Sequence, residues 1–155
     1  MAGTRLELTL DDRVVQQAFQ DLLRRSGTLE PALSDIGESL INSTRQRFED
    51  QEGPDGEPWE PLSPTTLGLK PKNTDKILIQ EGDLKEQLSA SVTNDSLEIS
   101  SNRIYAAMQQ FGGQTSPDSM IPNRTIPARP FLGFSATDEQ DILAIAREHL
   151  AGAFE

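Results

Sequence analysis

The sequence predicts an α+β fold, a small antiparallel sheet packed with three to four helices and interrupted by two long loops. Three observations lead to it. Apolar residues recur at helical spacing in three stretches, two β-prone runs flank a turn triplet, and proline and glycine break the pattern twice. A chain of 155 residues fits one domain with a modest core, so 1–155 is read as a single domain.

Leu6, Leu8 and Leu10 alternate with Arg5, Glu7 and Thr9, the period of a half-buried strand. Asp11 or Asp12 then supplies a helix cap. Val14, Val15, Ala18, Phe19, Leu22 and Leu23 follow at helical spacing as a core stripe, and Gly27 ends the run. A second helix begins near Pro31, whose missing N–H suits a first turn, with Leu33, Ile36, Leu40, Thr44 and Phe48 as its buried stripe. Across residues 49–76 the period fails, because Gly and Pro keep breaking it, and a long loop or arm is expected. Trp59, the only tryptophan, lies in that arm and pins it to a surface; as an interface anchor it would matter more to subunit contacts than to domain stability.

The apolar run Ile77-Leu78-Ile79 precedes Gly82-Asp83-Leu84 and a helical turn to Leu88. Residues 89–93 and 97–101 are β-prone and flank Asn94-Asp95-Ser96, a hairpin signal. Ile104 to Phe111 reads as a short helix ended by Gly112-Gly113, and residues 113–130 form the second loop. The last helix opens on a capping box of Thr137 with Gln140, and Ile142, Leu143, Ile145, Ala146, His149 and Leu150 lie near one face.

Composition removes several function classes. There is no cysteine, which excludes a disulfide framework and a thiolate metal site. The start of the chain lacks a basic region followed by an apolar run, and no stretch approaches the roughly 20 apolar residues of a membrane-spanning helix. The expectation is a soluble protein, made where it is used. With His149 the only histidine, zinc sites and Cys/His nucleophile sites have nothing to be built from. At the end of the last helix a histidine also serves simply as a cation for the helix terminus. No phosphate-cradling or dinucleotide motif occurs. The acidic residues from Glu49 to Glu60 do not form a calcium loop, since counting from Asp50 puts Pro54 fifth and Asp55 where glycine is required. No catalytic, cofactor-binding or metal residue is therefore assigned, and no enzyme activity is expected.

Mean hydropathy of -0.50 is low for a packed monomer, so either part of the chain is unpacked or some of its burial comes from neighbours in an assembly. Net charge is -11 but unevenly spread: residues 101–130 carry Arg103, Arg124 and Arg129 against one carboxylate, Asp118. Either this is chance clustering, or it is a contact surface for an acidic neighbour such as another copy of the chain. Pro127 and Pro130 fix backbone torsions around Arg129, so residues 126–134 are expected to be extended and pre-ordered. Phe131, Leu132 and Phe134 then anchor either the domain itself or a neighbour, and Arg129 is a candidate interface ion-pair donor.

Three segments resemble the virion morphogenesis, or tail completion, family of contractile-tailed bacteriophages. The first is the aromatic Phe48 at a helix end, then an acidic turn, Gly56-Glu57-Pro58-Trp59-Glu60-Pro61-Leu62 and Thr66-Leu67. The second is Ile77-Leu78-Ile79 with Gly82-Asp83-Leu84, then Tyr105-Ala106-Ala107-Met108-Gln109-Gln110-Phe111-Gly112-Gly113. The third is Ile126-Pro127-Ala128-Arg129-Pro130-Phe131-Leu132-Gly133. Their order and spacing cover roughly residues 30 to 150. Two departures are Glu81, where the family places a small polar residue, and residues 114–125, which are less basic than the family pattern.

The resemblance implies a structural protein of the virion, present in the host cytoplasm during assembly, that completes the tail and allows joining to the head. It implies a tail-terminator-like ring, with homohexamer as the expected copy number, contacting tail tube or sheath proteins and neck or connector proteins. The genomic DNA only passes through, and no membrane or cofactor is involved. The alternatives are a head-side neck adaptor, or a phage-encoded hydrolase or inhibitor module, the hydrolase being disfavoured by the poor catalytic inventory. Phosphates are repelled by a net charge of -11, so the purified protein is expected to show no measurable affinity for duplex DNA at physiological salt. Tight, salt-sensitive binding in a fluorescence titration would contradict this.

Overall fold

A computed structural model describes residues 12–61, 88–101, 106–114, 117–118 and 125–152. The expected strand at residues 5–10 and the run Ile77-Leu78-Ile79 lie outside these residues. The order is α1 (Arg13–Ser26), α2 (Glu30–Asp50), β1 (Leu88–Val92), β2 (Leu97–Ser101), α3 (Ala106–Phe111), β3 (Gly113–Gln114), β4 (Thr125–Ile126) and α4 (Ala136–Gly152). Two two-stranded antiparallel sheets, β1–β2 and β3–β4, accompany the helices, giving the α+β class expected.

The Asp12 side chain caps α1, its Oδ1 accepting from the amides of Val14 at 2.9 Å and Val15 at 3.2 Å. Gly27 closes the helix in the left-handed conformation, and its N–H returns to the Leu23 carbonyl. Val15, Ala18 and Leu22 are buried as expected, but Val14 is 52% and Leu23 41% exposed. Six apolar positions make too wide an arc for one contact, and only its centre meets the core. In α2 the stripe Leu33, Ile36, Leu40, Thr44 and Phe48 is buried throughout.

α1 packs on α4, α4 on α2, and α2 on the β1–β2 hairpin. The hairpin pairs Leu88 with Ser101, Ala90 with Ile99 and Val92 with Leu97, so the apolar side chains share the face turned to α2. Its turn is tied to the start of α2 by the Leu29 N–H donating to the Asn94 carbonyl at 2.8 Å. Two apolar clusters result. One joins Val15, Leu22, Leu33, Ile36, Leu40 and Ile142; the other joins Phe48, Trp59, Leu88, Ala106, Phe131 and Leu132.

The capping box of α4 sits two residues before the expected one. The Ser135 Oγ accepts from the Asp138 N–H at 3.0 Å, and an Asp138 carboxylate oxygen accepts from the Ser135 N–H at 2.9 Å. Both Ser135-x-x-Asp138 and Thr137-x-x-Gln140 fit the motif; the ionised carboxylate is the stronger acceptor and suits the positive end of the helix dipole.

Residues 51–61 are not a loose excursion. The Trp59 N–H donates to the Gln51 carbonyl at 2.9 Å, Gly53 donates to Glu57 at 2.9 Å, and Glu52 bridges Pro58, which together make a closed turn at the end of α2. The remainder of the expected arm, residues 62–76, lies outside the described residues.

Candidate functional site

Residues 126–135 carry almost no regular structure after β4, so their backbone polar groups need partners from elsewhere in the chain. Three elements supply them. From α3, the buried Gln110 accepts at Oε1 from the amides of Phe131 and Leu132, both at 3.0 Å, and donates from Nε2 to the Leu132 carbonyl at 3.1 Å. One side chain thus stands in for a strand edge. The Arg129 N–H donates to the Gln109 carbonyl at 2.6 Å. From the 51–61 turn, Trp59 Nε1 donates to the Pro130 carbonyl at 2.8 Å. From α2, Arg47 Nη1 donates to the Phe131 carbonyl at 2.8 Å.

Arg47 is the joint of this arrangement. Its Nη2 also bonds Asp138 Oδ2, the same oxygen that caps α4, and both side chains are at most 5% exposed. Burial pulls the Arg47 guanidinium below its ordinary range, and the Asp138 charge beside it opposes that. Removing one member of such a pair costs about 3–5 kcal/mol, because the other is left buried and uncompensated. The Phe48 ring lies edge-on to Trp59, with centroids 5.5 Å apart, and tilted against Phe131 at 5.6 Å. At Gly112, with φ 73, a Cβ would lie 2.8 Å from the Ile126 carbonyl oxygen and the Ala128 nitrogen, so only glycine lets α3 end against the strap formed by residues 126–135.

The interface candidates separate on this geometry. Trp59, Arg129, Phe131 and Leu132 are all buried within the chain itself. The surface to which Trp59 pins the arm is the chain's own. Arg129 donates from Nε to the Glu60 carbonyl at 2.8 Å and from Nη2 to the Pro61 carbonyl at 2.9 Å, holding the end of the turn rather than reaching outward. Burial lowers the Arg129 pKa, with the Glu60 charge opposing. Phe134 is half-buried against the first cluster, so the strap ties both clusters together. Arg124 lies outside the described residues.

Sequence reading missed Arg47, Gln110 and Asp138. A charged residue beside Thr44 and Phe48 looks like the polar border of a stripe, and nothing in one sequence marks a glutamine as a backbone surrogate. His149 does more than face the terminus of α4: its Nε2 lies 2.6 Å from Asp35 Oδ2, joining α4 to α2.

Two surface features remain. An open groove of about 970 Å³ runs between α2 and α4, lined by carboxylates that include Glu38, Asp50, Asp141 and Glu148. Phe111, at the end of α3, is 53% exposed. Among the described residues no helix is long and apolar enough to cross a membrane.

The chain belongs to the phage virion morphogenesis family, whose model matches residues 10–151. It is 32% identical over 153 residues to the protein named "Putative capsid assembly protein G" of Escherichia phage Mu, covering 96% of each chain. It is 42% identical over 62 residues to the Mu-like prophage FluMu G protein 2 of Haemophilus influenzae, covering 37% of this chain and 43% of that one. No solved structure matches.

With Trp59 packed on Phe48 and bonded to Pro130, Trp59→Ala is expected to lower unfolding free energy by about 3–5 kcal/mol, the cost of an aromatic cavity. Urea denaturation measures this. A loss below about 1 kcal/mol would show that the ring belongs to a contact outside the protomer.

Proposed function

We propose that this chain is a non-enzymatic structural protein that completes the phage tail and mediates its joining to the head, as a tail-terminator-like ring. The observation that carries the reading is the family match across residues 10–151, nearly the whole chain. The framework is consistent with a structural role. Its buried charges, Arg47, Asp138 and Arg129, are committed to one another or to main-chain carbonyls and caps. Arg47 and Asp138 border the groove between α2 and α4, but their side chains are at most 5% exposed, whereas a catalytic pair would present free polar atoms to a substrate.

In this reading the partners are further copies of the chain, with a homohexamer expected, together with tail tube or sheath proteins below and connector proteins above. Genomic DNA passes through without being gripped, and the protein resides at the virion neck after assembling in the host cytoplasm. A second reading, a head-side neck adaptor, draws on the name of the Mu relative, which refers to capsid assembly.

Negative-stain microscopy of lysates made without this protein tests the two together. The tail-completion reading expects DNA-filled heads beside separate tails of unfinished or irregular length. Empty or DNA-leaking heads beside finished tails favour the head-side adaptor. Normal joined particles would remove both.

A further inference from the structure

We infer that α1 of one copy of this chain lies along the groove between α2 and α4 of the next copy, with Arg13 and Arg24 set against carboxylates at the two ends of that groove. This rests on the ring reading above and names the two surfaces the ring would use. Among the described residues the exposed cations are four arginines, and three of them, Arg13, Arg24 and Arg25, are on α1. Two of the three exposed large apolar side chains, Val14 and Leu23, are on α1 as well. Arg13, Gln17, Gln20 and Arg24 fall on one exposed stripe at the helical period, away from Val15, Ala18 and Leu22, which pack inward. The helix carries one carboxylate, Asp21, which bonds Arg24 and accepts from Gln17 Nε2 at 3.0 Å. In that pair the Arg24 side chain is still 72% exposed, and a pair so open to solvent is weak enough to exchange partners. A helix face that joins arginine to exposed apolar side chains, without lysine or glutamate, has the composition of an interface.

Charge and length select the groove of a second copy as its seat. A chain of net charge -11 associates with itself best where exposed cations meet carboxylates, and α1 is where the cations of the described surface are gathered. Glu38, Asp50, Asp55, Asp141 and Glu148 line the groove and are exposed, while its Arg47 is buried against Asp138. The spacings agree. By the rise of an α-helix, Arg13 and Arg24 are about 16 Å apart along α1, and Glu38 and Asp50 about 18 Å apart along the α2 wall. The whole of α1 is about 21 Å long and the α2 wall from Asp35 to Asp50 about 22 Å. Pro54, Ala136 and Ile145 add apolar lining beside the carboxylates.

The groove lining includes no residue of α1. Two distinct surfaces on one chain are what a head-to-tail contact needs to propagate and close into a ring; a self-complementary patch would stop at a dimer.

Sedimentation velocity on the full chain tests this by comparing wild type with Arg13→Glu/Arg24→Glu and with Glu38→Arg/Asp50→Arg, circular dichroism confirming each fold. Wild type is expected to sediment as a closed ring that loosens as salt is raised, and each reversal alone to associate at least about tenfold more weakly. The two reversals mixed in equal amounts are expected to restore rings, because an acidic α1 then meets a basic groove and a basic α1 an acidic one. Arg13→Gln/Arg24→Gln and Glu38→Gln/Asp50→Asn stand in for reversals that do not fold, and their mixture is expected to stop at a one-to-one heterodimer. Rings at wild-type strength from either variant alone, or a mixture that recovers nothing, would overturn the inference while leaving a ring by other surfaces standing. A wild-type chain that is monomeric at every concentration overturns it as well. If micrographs then also show normally joined particles without the protein, the ring reading itself fails.

Discussion

The fold turns on one guanidinium. Arg47 projects from α2 into a space closed by Phe131 on one side and the first turn of α4 on the other, and it bonds both. A charge placed there is costly in itself: the desolvation penalty for an ion inside a protein is several kcal/mol, and the bond to Asp138 offsets it only if the geometry is satisfied throughout. That requirement fixes three things together. α4 must begin at Ala136 so that Asp138 faces α2; Ser135 must cap that turn; and the Phe131 carbonyl must point inward. An apolar residue at this position would hold α2 and α4 together without specifying the path of the chain that joins the strap to the last helix.

The strap itself shows how a segment without a ladder becomes rigid. Buried amides and carbonyls that lack partners each cost about 1–3 kcal/mol, so an irregular segment survives in a core only when side chains replace the missing strand. Gln110 does this for Phe131 and Leu132, Trp59 for Pro130, and Arg47 for Phe131. The same residues connect the second apolar cluster to the turn at 51–61, and Arg129 fastens that turn at Glu60 and Pro61. Such pre-ordering suits the assembly role proposed above, because the cost of ordering is then met in folding rather than in docking.

Much of the fold was legible in the sequence where a single period or a local cap decides the structure. The stripe of α2, the cap at Asp12, the stop at Gly27 and the hairpin around residues 94–96 all follow from residues a few positions apart. Phe131 and Leu132 were recognised as anchors, though the alternative between self and neighbour needed the structure. What was not legible depends on contacts distant in sequence. Arg47 and Asp138 are separated by 91 residues, and Trp59 and Pro130 by 71. No period or spacing reports such pairs, and the chemistry of tryptophan and arginine fits a core contact and an interface equally well. Val14 and Leu23 failed for another reason: helical spacing gives the direction of an apolar arc but not the width that a neighbour covers.

Native-state hydrogen exchange at the amides of Phe131, Leu132 and Ser135 is the most direct measurement. These three donate to the side chains of Gln110 and Asp138 rather than to a helix or strand. If the buried framework around Arg47 fixes the strap as part of the core, they should exchange as slowly as the interior amides of α2 and open only with global unfolding. Exchange at the rate of an exposed loop, with α2 still protected, would mean that the strap opens independently and that Arg47 does not set the frame of the fold.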